Sequence, residues 1–362
     1  MPLYLKTIGF SVFLIGILEG VAEAATGLSK GYFGQRSDLS GKRTPFVQLG
    51  YALSAISKPM MAVFVYPLWL FFARTLDRLG KGIRTGARDA ILSDEATPAT
   101  KGKIFGLHRS MDTLGAVLGP LLALLYLYFY PEDYRTLFFA AFIPGMLAVL
   151  VSLLLKTKSV SKKTPTTSFF SFLQYWKIAP SAYRKVVIGL LAFALFNSSD
   201  VFLLLKAKEA GLSDTMVIGV YIFYNLIYAL FAFPLGILAD KIGLKRMYVF
   251  GLAVFSIVYF GMSWAQGVVP ILLLFLLYGV YSAATEGISK AWITNITESR
   301  DTATAIGTYA GFQSICMLLA SSLAGFIWYR FGASTTFLVT GIITTLVMIY
   351  FLVVVTTTPQ NK

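Results

Sequence analysis

The chain has 362 residues, of which 57% are hydrophobic and only 13% charged, with a formal net charge of +14. Soluble domains carry about a quarter charged residues, so this composition excludes an ordinary soluble core and points to a membrane protein. Nucleic acid is not implied by the positive charge, because the basic residues follow particular loops rather than one face.

Apolar runs of the roughly 20 residues needed to cross a bilayer recur along the chain. They fall at 7–33, 46–65, 66–92, 102–130, 135–156, 186–206, 213–240, 246–265, 269–293, 302–328 and 332–356. The expectation is an all-α membrane bundle of about 11 transmembrane helices. The first run carries Glu19 and Glu23, four residues apart and so on one helix face. It is too long and too acidic for a cleavable signal peptide. After it comes "GQRSDLSGKR", read as a tight turn. Gly34 there allows close helix approach, Gly41 allows an unusual turn conformation, and Asp38 can accept from a neighbouring helix N-terminus or pair with Arg43.

If that turn is cytoplasmic, alternation places most loop cations on the same side: Arg36, Lys42, Arg43, Lys101, Lys103, those from Lys156 to Lys185, Lys241, Lys245, Arg246, Arg300 and Lys362. The other side holds Lys6, Arg135, Lys206, Lys208 and Arg330. This bias predicts a cytoplasmic central linker and C-terminus, with the N-terminus outside.

The run 66–92 contains an unusual density of charge. At 100° per residue Arg74, Asp77, Arg78, Lys81, Arg84 and Arg88 share one face, opposite Leu76, Leu79, Ile83 and Ala90. A charge at mid-bilayer costs about 2.5–3.5 kcal/mol, so the stripe must face protein or water. It is read as one wall of a polar cavity, with Arg78 in ion-pair reach of Glu19, Glu23 or Asp112, and with Arg84 to Asp89 near water. In the next run His108 reads as a structural or interfacial histidine, beside Arg109 and Asp112. Gly115 and Gly119 form a small-xxx-small face for close helix packing, and Pro120 bends the helix beyond it.

The connection 157–185 is strongly basic and has no acidic residue; it reads as a tether. Its "FFSFLQYW" suits a segment in the headgroup region. It separates an N-terminal half, 1–156, from a C-terminal half, 186–362. The second half is drier, with Asp200 after "FNSS", Glu286 beside Lys290, and Tyr221, Tyr224 and Asn225 as polar lining. Membrane carboxylates can gain and lose a proton, which makes Glu19, Glu23, Asp112 and Glu286 candidate proton carriers, the alternative being permanent salt bridges. One His, one Cys (Cys316) and no HExxH-type spacing leave little from which to build an enzyme, and a single cysteine gives no disulfide framework or thiolate metal cluster.

The halves repeat each other. "GILADKIGLKR" restates the first turn with Gly236, Asp240, Gly243 and Arg246, while "GKGIRTGARDAILSDE" (80–95) aligns with "TEGISKAWITNITESR" (285–300). Two matched loops suggest gating contacts that break when two halves rock, as in transporters built from repeats. At these residues the chain resembles the major facilitator superfamily. Gly34-x-x-x-Asp38-x-x-Gly41-Lys42-Arg43 is similar to the family's signature loop, and its second-half echo occurs where the family has one. Arg78-x-x-x-Gly82 resembles the fourth-helix Arg motif, with Lys81 where many drug exporters have Gln. Gly115 to Pro120 resembles the fifth-helix antiporter motif, and "DRLGKGIRTGARDAI" resembles a bacterial subgroup similar to drug/proton antiporters. The family has twelve helices, so the match implies that the first is lacking here.

The resemblance implies a monomeric secondary transporter in the bacterial inner membrane, without a cofactor. It would move a small organic solute or drug-like compound by alternating access, as proton-coupled efflux. Two alternatives stay open: transport of an anionic metabolite on Arg78, Lys81 and Arg109, and a non-transporting membrane sensor or scaffold.

Overall fold

The computed structural model describes the backbone of residues 12–155 and 170–355, and side chains from Thr26 onward within them apart from Asp214. The start of the chain, where a first helix is expected to be lacking, lies outside the described residues. All regular structure described is helical: α1 (Val12–Ser40), α2 (Thr44–Val63), α3 (Pro67–Asp94), α4 (Lys101–Phe129), α5 (Tyr134–Leu153), α6 (Tyr175–Ile178), α7 (Ser181–Ala194), α8 (Val201–Glu209), α9 (Asp214–Ile242), α10 (Leu244–Trp264), α11 (Val268–Asn295), α12 (Thr302–Phe331) and α13 (Ala333–Val353). Seven stretches among the described residues are long and apolar enough to cross a membrane: α4, α5, most of α9, α10, α11, Ser299–Phe331 and α13.

Two compact units are present, and neither coincides with one sequence half. One draws on Met1–Ile91, Gly119–Ile178 and Glu298–Ser314, the other on Leu92–Leu118, Ala179–Thr297 and Ile315–Lys362. In the first, α2 packs along α5, and Met61, Leu70 and Ala73 are buried together against Tyr134 and Phe138. In the second, α9 and α10 both pack on α11, and α13 packs on α10. Its centre is aromatic, with Phe255, Tyr259, Phe275, Tyr281 and Phe337 all buried. Each unit takes the first turns of one helix from the opposite sequence half: α12 joins the first unit through Thr302 to Ser314, and α4 the second through Lys101 to Leu118.

Three sequence expectations change. The run 186–206 is not one helix, because α7 ends at Ala194 and α8 begins only at Val201. Asn197, Ser198, Ser199 and Asp200 lie in the gap, and such side chains bond to local backbone in competition with the helix ladder. The signature loops are mostly helix: α1 continues through Asp38 to Ser40, and α9 through Asp240 to Ile242. Only Gly41 (φ 67°) and Gly243 (φ 101°) take the left-handed conformations that turn the chain, and a side chain at either would strain it. Finally, the linker's aromatic stretch, expected as a tether suited to the headgroup region, is also anchored on helices. Phe170 is exposed, but Phe172 is buried with its ring against Gly31 of α1 and Gly311 of α12. Thr308 Oγ1 donates to Phe172 O at 3.1 Å, and Ser171 Oγ donates to Gln35 Oε1 at 2.5 Å. Two facing glycines leave the notch that the ring fills.

Candidate functional site

The two signature aspartates do the same work in different units. In the first, Asp38 Oδ2 accepts from Thr304 N at 2.7 Å and Thr304 Oγ1 at 2.8 Å, capping α12 at its start. Helix N-termini present free N–H groups and partial positive charge, so a carboxylate is well placed there. Arg43 Nη2 reaches Asp38 Oδ1 at 3.2 Å, and both side chains are only 2% exposed. The same guanidinium donates to Ala90 O at 3.1 Å and Ser299 O at 2.5 Å, tying α3 and the approach to α12 together. Burial pushes Asp38 up to about 6, against the lowering pull of Arg43 and the Thr304 donors.

In the second unit Asp240 accepts from Gly102 N and Lys103 N, each at 2.7 Å, at the start of α4. Of the two partners open to a signature aspartate, a helix N-terminus or the nearby cation, Asp240 takes the first, and Arg246 is not among its bonds. Lys101 Nζ donates to Thr294 O of α11 at 2.6 Å. The glycines explain the close approach: a Cβ on Gly34 would run into Ala303 O, and one on Gly236 into Gly102 O. The arrangement is reciprocal in sequence, since 38 and 240 are as far apart as Gly102 and Thr304. Each cap joins a helix of one half to a helix of the other.

The α3 stripe holds two ion-pair groups, around Asp77 and around Asp89. Asp77 takes Lys58 at 2.9 Å and Arg74 at 3.4 Å, with Arg78 adding a further positive charge nearby. Thr26 Oγ1 donates to Arg78 O at 3.2 Å, and Gly82 lets α3 sit directly on Ser29 of α1. Glu19 and Glu23 fall on α1 where side chains lie outside the described residues. Lys81 is exposed. Arg84 donates to Ser54 Oγ at 2.8 Å and lies over the Tyr51 ring at 4.6 Å. The expectation that Arg84 to Asp89 reach water is corrected: Asp89 is 0% exposed and pairs with Arg88 at 3.0 Å. Its face turns inward because Ala87 and Ala90 on either side are fully buried. Arg88→Ala is therefore expected to destabilise the protein by about 3–5 kcal/mol, because Asp89 loses a close counter-charge in a buried site. A melting midpoint in detergent equal to that of the parent would contradict this.

Asp112, a sequence candidate for Arg78, is instead held by Arg109 at 3.1 Å. Arg109 also pairs with Glu286 of α11, donates to Tyr228 of α9, and lies over the Tyr228 ring at 5.5 Å. Asp112 and Glu286 remain about half exposed, at 50% and 48%. Asp200 accepts from Tyr224 Oη at 2.5 Å and Tyr278 Oη at 2.6 Å, and Asn225 Nδ2 donates to Tyr221 O at 2.9 Å. Neither Gly115 nor Gly119 has a described atom within 4 Å of where a Cβ would sit. The close approaches of α4 come earlier, at Gly102 and Gly106 against α9, and α4 runs through Pro120 to Phe129. No group of three or more His, Cys, Asp and Glu able to hold a metal gathers among the described residues.

Sequence reasoning missed Thr304, Ser299, Ala90 and Tyr228. The available signal was the small-residue spacing at two helix starts, Gly102 with Gly106 and Ala303 with Gly307.

The model of the Major Facilitator Superfamily matches residues 1–224 and 186–362. An uncharacterized MFS-type transporter of Methanocaldococcus jannaschii is 32% identical over 344 residues, 93% of this chain and 85% of that protein. An uncharacterized protein of Mycobacterium tuberculosis is 23% identical over 338 residues, covering 90% and 80%. Among solved structures, the fucose:proton symporter FucP of E. coli superposes with a TM-score of 0.80 at 13% identity, covering 98% of this chain and 93% of that one. The human organic anion transporter MFSD10 gives 0.79 at 16% identity, covering 97% and 88%. With paired signature caps, an all-helical fold and family matches over both halves, the chain belongs to the Major Facilitator Superfamily of membrane transporters.

Proposed function

We propose that the chain is a proton-coupled secondary transporter that exports a small organic or drug-like solute by alternating access, from the bacterial inner membrane. The observation that carries this reading is the reciprocal pair of caps, Asp38 on α12 and Asp240 on α4. Each is a polar contact between opposite sequence halves, made of hydrogen bonds and, at Asp38, an ion pair with Arg43, for which water can substitute on opening. A gate must open at modest cost, and such contacts meet that need better than a continuous apolar seam. Their loop ends would lie on the cytoplasmic side, where the basic residues concentrate. The eleven-span count would then include α1, α2, α3 and the broken α7–α8 run.

Proton coupling is assigned to Arg109, Asp112 and Glu286. One guanidinium shared by two carboxylates leaves one negative charge when both are ionised, and a single proton neutralises the group. Protonating either carboxylate frees Arg109 for the other, so proton uptake changes the contact between α4 and α11. The same pairing argues against an anionic metabolite, because Arg109 is already committed to carboxylates. A sensor reading has no specific observation in its favour.

The test is efflux of a panel of drug-like fluorescent dyes from energised cells, and exchange of the same dyes in proteoliposomes. Glu286→Gln and Asp112→Asn are expected to lose more than tenfold in uphill efflux while retaining exchange. Parent-like uphill efflux and pH dependence in both variants would remove these residues as carriers, and no flux of any solute driven by a proton gradient would remove the coupled-efflux reading.

A further inference from the structure

Asp200 differs from four other described carboxylates placed within the apolar runs. Asp77, Asp89, Asp112 and Glu286 each lie against a Lys or Arg. The side chains that reach Asp200 are two phenols, Tyr224 Oη on Oδ2 and Tyr278 Oη on Oδ1. It sits at the start of α8, where the chain is unwound between Ala194 and Val201. Irregular backbone at membrane depth persists where it lines a cavity or is covered by protein, and ion or substrate sites of transporters gather at such breaks.

Two further observations point to what is wanted there. Asn197, in the same break, donates Nδ2 to Tyr281 Oη at 3.1 Å, while its Oδ1 is buried without a hydrogen-bond partner. Around Asp200 the rings of Tyr221, Tyr224, Phe275 and Tyr278 follow one another at 5.4–6.4 Å between centroids. The Tyr221 ring is 40% exposed, on the accessible edge of this cluster. A carboxylate and an orphaned amide oxygen both ask for a donor or a positive charge, and aromatic faces attract cations through their quadrupoles. A small metal ion would need several oxygens turned towards it, yet both phenol hydroxyls are already turned to Asp200. The exposed member of the ring cluster is Tyr221, packed on the Tyr224 that bonds Asp200, and an aromatic face of this kind suits an organic ammonium group.

We infer that Asp200, Asn197, Tyr221 and Tyr224 form a recognition site for the ammonium head of an organic cation, so that the solute is an amine or quaternary ammonium compound. This rests on the transporter reading and names its substrate class. The Tyr221 ring would cover one face of the head, and Asp200 would supply the counter-charge.

Binding of benzyltrimethylammonium to purified full-length protein in nanodiscs tests it, with benzyl alcohol, benzoate and sodium chloride as controls. Saturable binding of the quaternary ion alone is expected, weakened at least tenfold by Asp200→Asn. Tyr221→Ala, at a half-exposed ring that leaves the core packing in place, is expected to weaken it severalfold with an unchanged melting midpoint. Glu132→Gln, at an exposed carboxylate between two helices, is expected to bind as the parent does. Absence of saturable binding at millimolar concentration, equal binding of benzoate or sodium, or parent-like binding by both Asp200→Asn and Tyr221→Ala would overturn the site. Dye flux of the parent measured in parallel separates this failure from failure of the transporter reading: flux with no ammonium binding rejects the site alone.

Discussion

Arg43→Ala is expected to destabilise the protein by about 3–5 kcal/mol, the cost of leaving a buried charge without its partner. Arg43 is 2% exposed and bonds Asp38, Ala90 O and Ser299 O together, so one truncation removes the counter-ion and strips two backbone carbonyls of a donor. The resulting hole lies where α1, α3 and the start of α12 meet, and no neighbouring apolar side chain has the shape of a forked guanidinium. Arg43→Lys should recover only part of the loss, since an ammonium on a flexible stem cannot hold three acceptors in fixed directions. The exchange Asp38→Arg with Arg43→Asp should also fail to restore stability. It rebuilds the ion pair but sets a cation against the N-terminus of α12, where Thr304 N needs an acceptor. Heating in detergent followed by size-exclusion chromatography reads all three, and a parent-like midpoint for Arg43→Ala would contradict the account of the cap.

The second large effect is on pH dependence. In the closed cap Asp38 is pushed up to about 6, whereas the ordinary value is 3.8. Once the cap parts and Asp38 meets water, its proton affinity returns towards that ordinary value. Between about pH 4 and 6 the closed form therefore holds a proton that the open form has lost. Closure weakens as pH rises through this window, by on the order of a hundredfold in all, and changes no further above about pH 6. Acid thus favours the closed cap. Asp38→Asn removes the titrating group, so opening should lose its dependence on pH between about 4 and 6, and transport should slow without impaired insertion. Spin labels at Lys42→Cys and Arg300→Cys, in a Cys316→Ser background, report the opening as a distance. Both sites are exposed and lie beside the cap. A distance distribution that is flat from pH 4 to 6, or that lengthens on acidification, would contradict the assignment.

What could be read in the sequence was local. Asp38, with Gly34 before it and Arg43 after it, stands in a spacing that already suggests a helix-end acceptor with a nearby cation, and its echo at Asp240 strengthens that reading. The partner could not be read, because Thr304 is 266 positions away from Asp38. Periodicity placed the α3 charges on one face, yet it could not say that Asp89 is fully buried. That depends on what covers α3, not on α3 itself. Asp112 was assigned to Arg78, yet its partner is Arg109, three residues before it, and the other groups that Arg109 meets, Glu286 and Tyr228, come from helices far along the chain. The break at Leu195 to Asp200 was within reach, since four consecutive polar residues in an apolar run disfavour a continuous helix. Hydropathy alone passed over it because the flanking residues are so apolar. Gly115 and Gly119 were read as a packing face from spacing alone, but spacing shows only that close packing is permitted.

The two caps are expected to act as one gate. The direct measurement is a steric wedge placed at one cap and read at the other. Gly34→Val puts a branched side chain against Ala303 O without altering any charge. Spin labels at Lys103→Cys and Lys241→Cys, again with Cys316→Ser, follow the Asp240 cap. If the caps open together, the wedge lengthens the 103–241 distance as well as the 42–300 distance, with the same proportion of open molecules in each. If the 42–300 distance lengthens while the 103–241 distribution stays that of the parent, the caps are independent local contacts and the gating account is wrong.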